Sequence, residues 1–435
     1  MNYDALLKES PDPDIGEDRL QRLLEDSTAR RYLDKLPDED VPCFLNLITI
    51  SNFIYRYLCR HPEVIATLYG AQTLDISELD SISDLDSLRH FKYKELIKIS
   101  WLDICQRYSY QIVLDRLSLL AEYIINKTME LVARDLECNG LKNDPVPFTI
   151  FALGKLGAVE LNFSSDVDLI FVSRNETDEM SYPDYQELIT EQVRRFSQAI
   201  EHRSEDGFLY RVDLKLRPWG RSGPLIISID ETELYYEASN EAWERFAWLR
   251  ARIIGGDRKL GDNLLERLQP FIYLRSLGSD DLIRFIKIKN DMSAQRARSG
   301  SWNVKLGNGG IRDIEFFIQM LQIVNATSHS QLKTTSTLKL IDLLTTKGFF
   351  SRKEGGDIYE SYVFLRRLEN RLQMVDELQT HKLADEPQQR RKIACSLGFG
   401  PASDDSTIEK FDRKLLEYRQ VASSCFDRIL PGETS

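Results

Sequence analysis

The chain has 435 residues, of which 42% are hydrophobic and 29% charged, and its formal net charge is −12. This length exceeds what one hydrophobic core usually organises, and the composition excludes disordered and fibrous classes. The acidic balance argues against broad affinity for nucleic acid, because such binding needs a net attraction to phosphates. No apolar run is long enough for a membrane span, and the N-terminus lacks a basic stretch followed by an apolar one. We therefore expect a cytoplasmic protein without membrane or nucleic-acid partners.

The cysteines and histidines give no sign of a metal centre. The six cysteines stand singly, without a CxxC pair: Cys43, Cys59, Cys105, Cys138, Cys395 and Cys425. Buried reduced thiols are therefore favoured over a zinc site or a disulfide framework. The histidines share no motif, and no catalytic role is assigned to any of them: His61, His90, His202, His329 and His381.

The first third of the chain is mostly helical. Apolar residues recur at helical spacing in Leu88–Cys105, and the polar segment Thr73–Ser87 precedes this helix. The segment Asn139–Pro147 contains one glycine and two prolines and closes the region. We predict an N-terminal helical region over residues 1–140.

After Pro147 the periodicity changes from helix-like to strand-like. Short apolar or alternating runs predict four strands, over Phe148–Leu153, Leu169–Val172, Phe208–Leu216 and Leu225–Ile229. Helices are predicted over Asp184–His202, Asp230–Ala238 and Glu241–Ile254. Together these elements predict an α/β or α+β core over residues 141–258.

From about Leu260 onward the strand signals disappear. Helices are predicted over Ile311–Asn325, Thr337–Lys347 and Ile358–Gln379. These elements predict a C-terminal helical bundle over residues 259–435.

Three aspartates form the candidate site. Asp166 and Asp168 lead into the run Leu169–Val172, and side chains two apart on a strand face the same way. Adjacent carboxylates repel one another unless a cation lies between them, and their hard oxygens favour Mg²⁺ or Mn²⁺. Asp213 lies on the polar face of Phe208–Leu216. If that strand pairs beside the first, the three carboxylates form a ligand set for two-metal chemistry at phosphorus.

A glycine turn precedes the aspartates. Gly154, Lys155 and Gly157 follow the first strand, and a short helix is predicted over Ala158–Leu161. Glycines at a strand end let backbone N–H groups approach phosphate, and lysine adds a positive charge. Three residues after the third strand are further candidates for phosphate contact: Arg217, Arg221 and Gly223.

Less specific interpretations remain open for each of these features. The three aspartates could form a surface acidic patch, and the glycine turn could be an ordinary tight turn with a solvated lysine. Arg211 and Arg217 could pair with Asp213 and neighbours across the sheet rather than bind substrate. A second Asp-x-Asp pair, Asp84 and Asp86, precedes a helix and is interpreted as a helix cap.

Two later segments are interpreted first as structural. We interpret Leu306–Glu315 as a glycine loop at the start of a core helix, with a nucleotide contact as the alternative. Trp243, Phe246 and Trp248 read as helix packing, with a partner-binding patch as the alternative.

Several segments together resemble one family closely. They are Gly154–Phe171, Tyr210–Pro218, Ser222–Leu225, Trp243–Arg252 and Lys305–Phe316, together with Leu88–Cys105 and Leu117–Ala121 in the N-terminal helices. They resemble the bifunctional glutamine synthetase adenylyltransferase/adenylyl-removing enzymes. The resemblance implies an α+β fold with a nucleotidyltransferase-type, polymerase beta-like mixed sheet between N-terminal helices and a C-terminal helical bundle.

Members of that family join two similar halves, one removing AMP from a tyrosine of glutamine synthetase and one attaching it from ATP. This chain has room for one half, and the segments at Ser222, Trp243 and Gly310 resemble the removing half. The resemblance thus implies phosphorolysis with phosphate as acceptor and ADP as product. It also implies control by the uridylylated PII signal protein and by glutamine. ATP-dependent attachment and a non-catalytic regulatory module are the alternatives.

Carried over position by position, the resemblance implies that Asp166, Asp168 and Asp213 bind Mg²⁺ or Mn²⁺. Gly154, Lys155 and Ser165 match the phosphate-side loop of the family. There are two departures from the family pattern. Ala158 stands where a glycine is usual, and Lys215 replaces a frequent arginine.

Overall fold

The computed structural model describes residues 3–69, 74–138, 148–175, 181–239, 241–274 and 301–428. These residues form an α+β protein in which helices surround one small mixed sheet, so the predicted fold class is confirmed. The predicted segment Asn139–Pro147 lies outside the described residues, as does Thr73. Within the described part of the chain, no helix is both long and apolar enough to cross a bilayer.

Seven α-helices precede the sheet among the described residues: Tyr3–Leu7, Pro13–Glu25, Ser27–Leu33, Val41–Ile50, Asn52–Arg60, Leu85–Ile104 and Tyr110–Cys138. The helix predicted over Leu88–Cys105 is confirmed, beginning three residues earlier. Its N-cap is Asp84, whose carboxylate accepts hydrogen bonds from the backbone N–H of Asp86 at 3.0 Å and of Ser87 at 2.8 Å. The capping interpretation of this second Asp-x-Asp pair is therefore confirmed.

The sheet has five strands: β1 (Phe148–Ala152), β2 (Val167–Ser173), β3 (Val212–Asp213), β4 (Ile226–Ser228) and β5 (Arg252–Gly256). Its order is β3-β2-β1-β5, and β4 also pairs with β2. β1 runs antiparallel to β2 and β5, whereas β3 and β4 run parallel to opposite ends of β2. The predictions for β1, β2 and β4 are confirmed within two residues at each end.

The strand predicted over Phe208–Leu216 is wrong in length, because only β3 joins the ladder. Phe208, Leu209 and Tyr210 are all buried, so the segment does not alternate between core and solvent. The Tyr93 hydroxyl contacts the backbone of Phe208 on both sides, 3.1 Å from its N and 2.9 Å from its O. The backbone of Phe208 is therefore hydrogen-bonded to a side chain of a distant helix where the prediction expected a neighbouring strand.

Two further predictions around the sheet need correction. The helix predicted over Glu241–Ile254 ends at Trp248, and β5 follows it and pairs with β1. The short helix predicted over Ala158–Leu161 is displaced, since the helical turn is formed by Gly154–Gly157 itself. The other helices around the sheet are Tyr182–Glu201, Ile229–Ala238 and Arg258–Arg267.

The described C-terminal part contains five helices: Ile311–Asn325, Thr337–Thr346, Arg352–Met374, Pro387–Ser396 and Ser406–Asp427. The first two match their predictions almost residue for residue. The third begins six residues before the predicted Ile358, because Ser351 and Glu354 form a capping box there. The predicted domain boundaries near residues 140 and 258 stay predictions.

One continuous apolar core joins the three regions. The N-terminal helices reach the long C-terminal helix directly, with Ser51 Oγ 2.5 Å from the carbonyl oxygen of Met374. The buried Lys92 Nζ lies 3.1 Å from Glu377 Oε1 and makes a second link. The sheet therefore lies in a frame of helices from both ends of the chain.

Candidate active site

The start of β2 and the short β3 bring two of the predicted aspartates side by side. In the parallel register, Val167 is opposite Val212 and Asp168 is opposite Asp213. Neighbouring strands lie about 4.8 Å apart, and paired residues in a parallel ladder project to the same face. Asp166 immediately precedes β2, and all three carboxylates line one cavity of about 470 Å³.

Six predicted residues line this cavity: Gly154, Lys155, Ser165, Asp166, Asp168 and Asp213. Gly157 and Arg217 are outside its lining. An added side chain at Gly157 would lie 1.8 Å from the carbonyl oxygen of Arg250, so this glycine permits close backbone packing. Arg217 donates hydrogen bonds to backbone carbonyls, at 2.7 Å to Leu214 and at 2.9 Å to Pro224, which stabilises the turn after β3.

Gly154 is required by the position of Asp168. Its φ is +55°, which L side chains rarely adopt, and an added Cβ would lie 2.2 Å from Asp168 Oδ2. The turn after β1 can therefore approach the carboxylate only because it carries no side chain at this point. This geometry joins the predicted glycine turn to the predicted aspartates.

Each aspartate has a distinct electrostatic environment. Asp166 Oδ1 lies 2.6 Å from Arg211 Nε, and Asp213 Oδ2 lies 2.6 Å from Lys215 Nζ. Asp168 makes no such ion pair with any residue that the structure describes; its burial, and next the neighbouring Asp213 carboxylate, raise its pKa to about 6. The donor set suits a divalent cation, since three side chains with hard oxygens line the same cavity and a cation would keep the buried Asp168 carboxyl ionised.

Lys155 is held at the cavity wall by a buried carboxylate. Its Nζ lies 2.8 Å from Glu369 Oε1, and the same oxygen lies 2.8 Å from Nδ1 of His381. Burial lowers the pKa of Lys155 to about 7, although Glu369 acts in the opposite direction. Asn162 also donates to Glu369, so the helix Arg352–Met374 fixes the orientation of the lysine.

Further cations of the cavity come from segments for which the sequence predicts a structural role. Lys305 and Arg312 line it from the glycine loop and the helix Ile311–Asn325, and Arg250 lines it from the turn before β5. Arg250 Nη1 lies 3.1 Å from Glu315 Oε1. Burial alone would raise the pKa of Glu315, but Arg250 and then Arg312 outweigh it and lower that pKa to about 2.

The remaining wall is aromatic. Trp243, Phe246 and Phe316 line the cavity, and the rings of the last two are 6.2 Å apart. Phe246 is buried, as the packing interpretation expected, and so is Trp248, which packs on Phe151. Trp243 is 36% exposed and lies at the cavity, so packing alone does not describe it.

Comparison with known proteins identifies the family of the chain. Residues 43–267, more than half of the chain, match the glutamate-ammonia ligase adenylyltransferase family. The chain belongs to that family. It is 31% identical over 94% of its length to the bifunctional glutamine synthetase adenylyltransferase/adenylyl-removing enzyme of Thioalkalivibrio sulfidiphilus. It is also 31% identical over 82% to that of Hahella chejuensis, and 32% identical over 87% to that of Stenotrophomonas maltophilia strain K279a.

The relatives of this adenylyltransferase-family chain are much longer than the chain itself. It spans 44%, 40% and 42% of the three relatives just named. Residues 284–430 separately match the GlnD PII-uridylyltransferase family. The helical C-terminal part, which supplies Lys305 and Arg312 to the cavity, is thus similar to a PII-uridylyltransferase family.

Two site features of this family member escaped sequence reasoning. Glu369 lies in a helix between the apolar Leu368 and Leu372 and is fully buried. The sequence feature that could have indicated Glu369 is a set of ionisable residues on the apolar side of that helix, where Arg366 and Arg371 are also buried. His381 had no sequence signal at all, because its partner Glu369 becomes visible only in the folded chain.

Proposed function

We propose that the protein removes AMP from an adenylylated tyrosine of glutamine synthetase by metal-dependent phosphorolysis. Inorganic phosphate attacks the phosphorus of the AMP group, the bond from phosphorus to the tyrosine oxygen breaks, and that oxygen takes up a proton. The products are ADP and unmodified tyrosine. The observation that carries the proposal is the pairing of Asp168 with Asp213 in a cavity that also contains Lys155, Lys305 and Arg312.

In this proposal Asp166, Asp168 and Asp213 hold Mg²⁺ or Mn²⁺. When bound, the cation would neutralise negative charge on the phosphoryl groups. Arg211 and Lys215, which contact Asp166 and Asp213, are partly exposed and can give way to it. Gly154 keeps the Asp168 carboxylate in place by leaving the space beside Oδ2 free.

The protein's own cations recognise the two phosphate groups that meet in the reaction. Lys155, whose ammonium group is held by Glu369, lines the same cavity as the aspartates, together with Ser165. Lys305 and Arg312 add positive charge from the other segment. Cations fixed in advance by buried partners need no rearrangement when charge shifts between the phosphates, which favours the transition state.

The direction of transfer is supported by segments that contribute to the cavity. Trp243 and Arg312 belong to the two stretches, Trp243–Phe246 and Gly310–Asp313, that resemble the removing half. The aromatic wall of Trp243, Phe246 and Phe316 offers a stacking surface of the size and chemistry of adenine. The uridylylated PII protein and glutamine are proposed as regulators of this activity in nitrogen assimilation.

A comparison of products tests the direction. The full chain with Mg²⁺ is incubated with adenylylated glutamine synthetase and phosphate, and separately with unmodified enzyme and ATP. We expect ADP in the first reaction and no pyrophosphate in the second; pyrophosphate without ADP would mean attachment instead. A third reaction with UTP and PII tests the similarity of residues 284–430 to the uridylyltransferase family.

Substitution of the aspartates tests the site. D168N is expected to lower the rate of ADP formation about 10³-fold, since metal stabilisation is worth several kcal/mol. The matched control is D84N in the other Asp-x-Asp pair, because asparagine caps a helix as well as aspartate does. Equal rates for D168N and D84N would contradict the proposed site.

A further inference from the structure

Two histidines and a glutamate of the N-terminal helical region lie together outside the lining of the aspartate cavity. The side chains of His61, Glu63 and His90 each place one possible ligand atom within 4.8 Å of the others. His61 Nδ1 lies 3.6 Å from Glu63 Oε1, and His90 Nε2 lies 4.0 Å from the same oxygen. Both separations exceed hydrogen-bond length, so the three atoms border a common gap.

The other nitrogen of each imidazole has its own partner. His61 Nε2 lies 2.8 Å from Asp206 Oδ1, and His90 Nδ1 lies 3.0 Å from the hydroxyl oxygen of Tyr57. Histidines that bind metal usually have a hydrogen-bond partner on the second ring nitrogen, which fixes the ring and its tautomer. The outer contacts of both histidines therefore have the pattern of a metal site.

The surrounding charges suit coordination by neutral rings. Arg60 Nη1 lies 2.9 Å from Asp206 Oδ1, so this carboxylate is already paired and serves to orient His61. Glu63 supplies one negative charge on the open side, where its side chain is 52% exposed.

We propose that His61, Glu63 and His90 bind Zn²⁺, with solvent as the fourth ligand. Two imidazole nitrogens and one carboxylate oxygen form a donor set typical of zinc, whereas the three aspartates offer only hard oxygens. Tetrahedral ligands about 2.0–2.1 Å from zinc lie about 3.3–3.4 Å from each other. The separations of 3.6 and 4.0 Å thus need to contract by less than about 1 Å.

Such a site would join separate parts of the fold. His61 ends the helix Asn52–Arg60, and His90 lies in the helix Leu85–Ile104. Asp206 lies in the turn between the helix Tyr182–Glu201 and β3, the strand that carries Asp213. A bound zinc ion is therefore expected to stabilise the contact of the N-terminal helices with this turn.

Zinc titration of the full chain tests the proposal. The background is D166N/D168N, with excess Mg²⁺, so that zinc does not report on the aspartates. We expect one Zn²⁺ per chain by calorimetry, a rise in Tm on zinc addition, and tetrahedral absorption bands when Co²⁺ replaces zinc. H61Q/H90Q is expected to lose all three signals, and D206N to bind zinc about tenfold more weakly.

The control is H329Q. His329 packs on Phe349 and is far in sequence from the cluster of His61, Glu63 and His90. This variant is expected to bind zinc as the background does. Circular dichroism without metal establishes that each variant is folded. If H61Q/H90Q does not fold, E63Q replaces it, because the Glu63 side chain is half exposed. Zinc affinity unchanged in the folded cluster variant, or no zinc binding in the background, would overturn the proposal.

Discussion

Replacement of Gly154 by alanine separates the position of Asp168 from the stability of the fold. The added Cβ would lie 2.2 Å from Asp168 Oδ2, and real Cβ contacts are essentially never shorter than 3.0 Å. The carboxylate oxygen must therefore move by at least 0.8 Å, the difference of these two distances. A misplacement of about 1 Å can lower a rate about 100-fold, and we expect that loss of phosphorolysis in G154A.

The matched control is G348A. Gly348 also has a positive φ, +83°, but among the described residues no atom beyond its chain neighbours lies within 4 Å of the position of its added Cβ. Both variants should lose about 1–2 kcal/mol of unfolding free energy from the left-handed backbone, while only G154A displaces a site residue. The assay follows ADP release from adenylylated glutamine synthetase, with urea unfolding in parallel. G154A as active as G348A would refute the proposed coupling of the glycine turn to Asp168.

Three further predictions concern the buried charges. E369Q removes the charged partner of Lys155 and should lower the free energy of unfolding by about 3–5 kcal/mol. The control D357N, in an exposed pair with Lys353, should change the free energy of unfolding in urea by less than about 1 kcal/mol. K92M leaves the buried Glu377 carboxylate without its ion-pair partner. The double variant K92M/E377M should therefore unfold at a higher urea concentration than K92M, and a lower midpoint for the double variant would contradict this. Because the folded pKa of Glu315 is about 2, its contribution of roughly 3 kcal/mol is present above the unfolded pKa of 4.5 and is lost as the pH falls towards 2. The stability gap between wild type and E315Q should therefore close over that pH range, and a constant gap would argue against the depressed pKa.

Local sequence patterns predicted the parts of the site that lie close together along the chain. The apolar run after Asp168 defined β2, and the glycines before it marked the turn that approaches the carboxylate. The pairing of Asp213 with Asp168 agrees with the prediction that its strand lies beside β2, but the predicted alternation is not observed and β3 contains only two residues. Short spacing along the chain was sufficient for β2 and the glycine turn.

Long-range packing decided the features that were missed. The backbone of Phe208 is bonded to Tyr93 of a distant helix, which no alternation in Phe208–Leu216 reveals. The pairing of β5 with β1 was hidden because Arg252 and Ile253 continue an apparently helical stretch. Lys155 and Glu369 are 214 positions apart, so their contact becomes visible only after folding.

The proposed activity is tested most directly by the transfer of labelled phosphate. Adenylylated glutamine synthetase is incubated with ³²P-phosphate, Mg²⁺ and the full chain, and the label in ADP is measured for wild type, D168N and D84N. We predict labelled ADP with wild type and D84N, and about 10³-fold less with D168N. Unlabelled AMP as the product, or labelled ADP at the wild-type rate with D168N, would contradict phosphorolysis at the three aspartates.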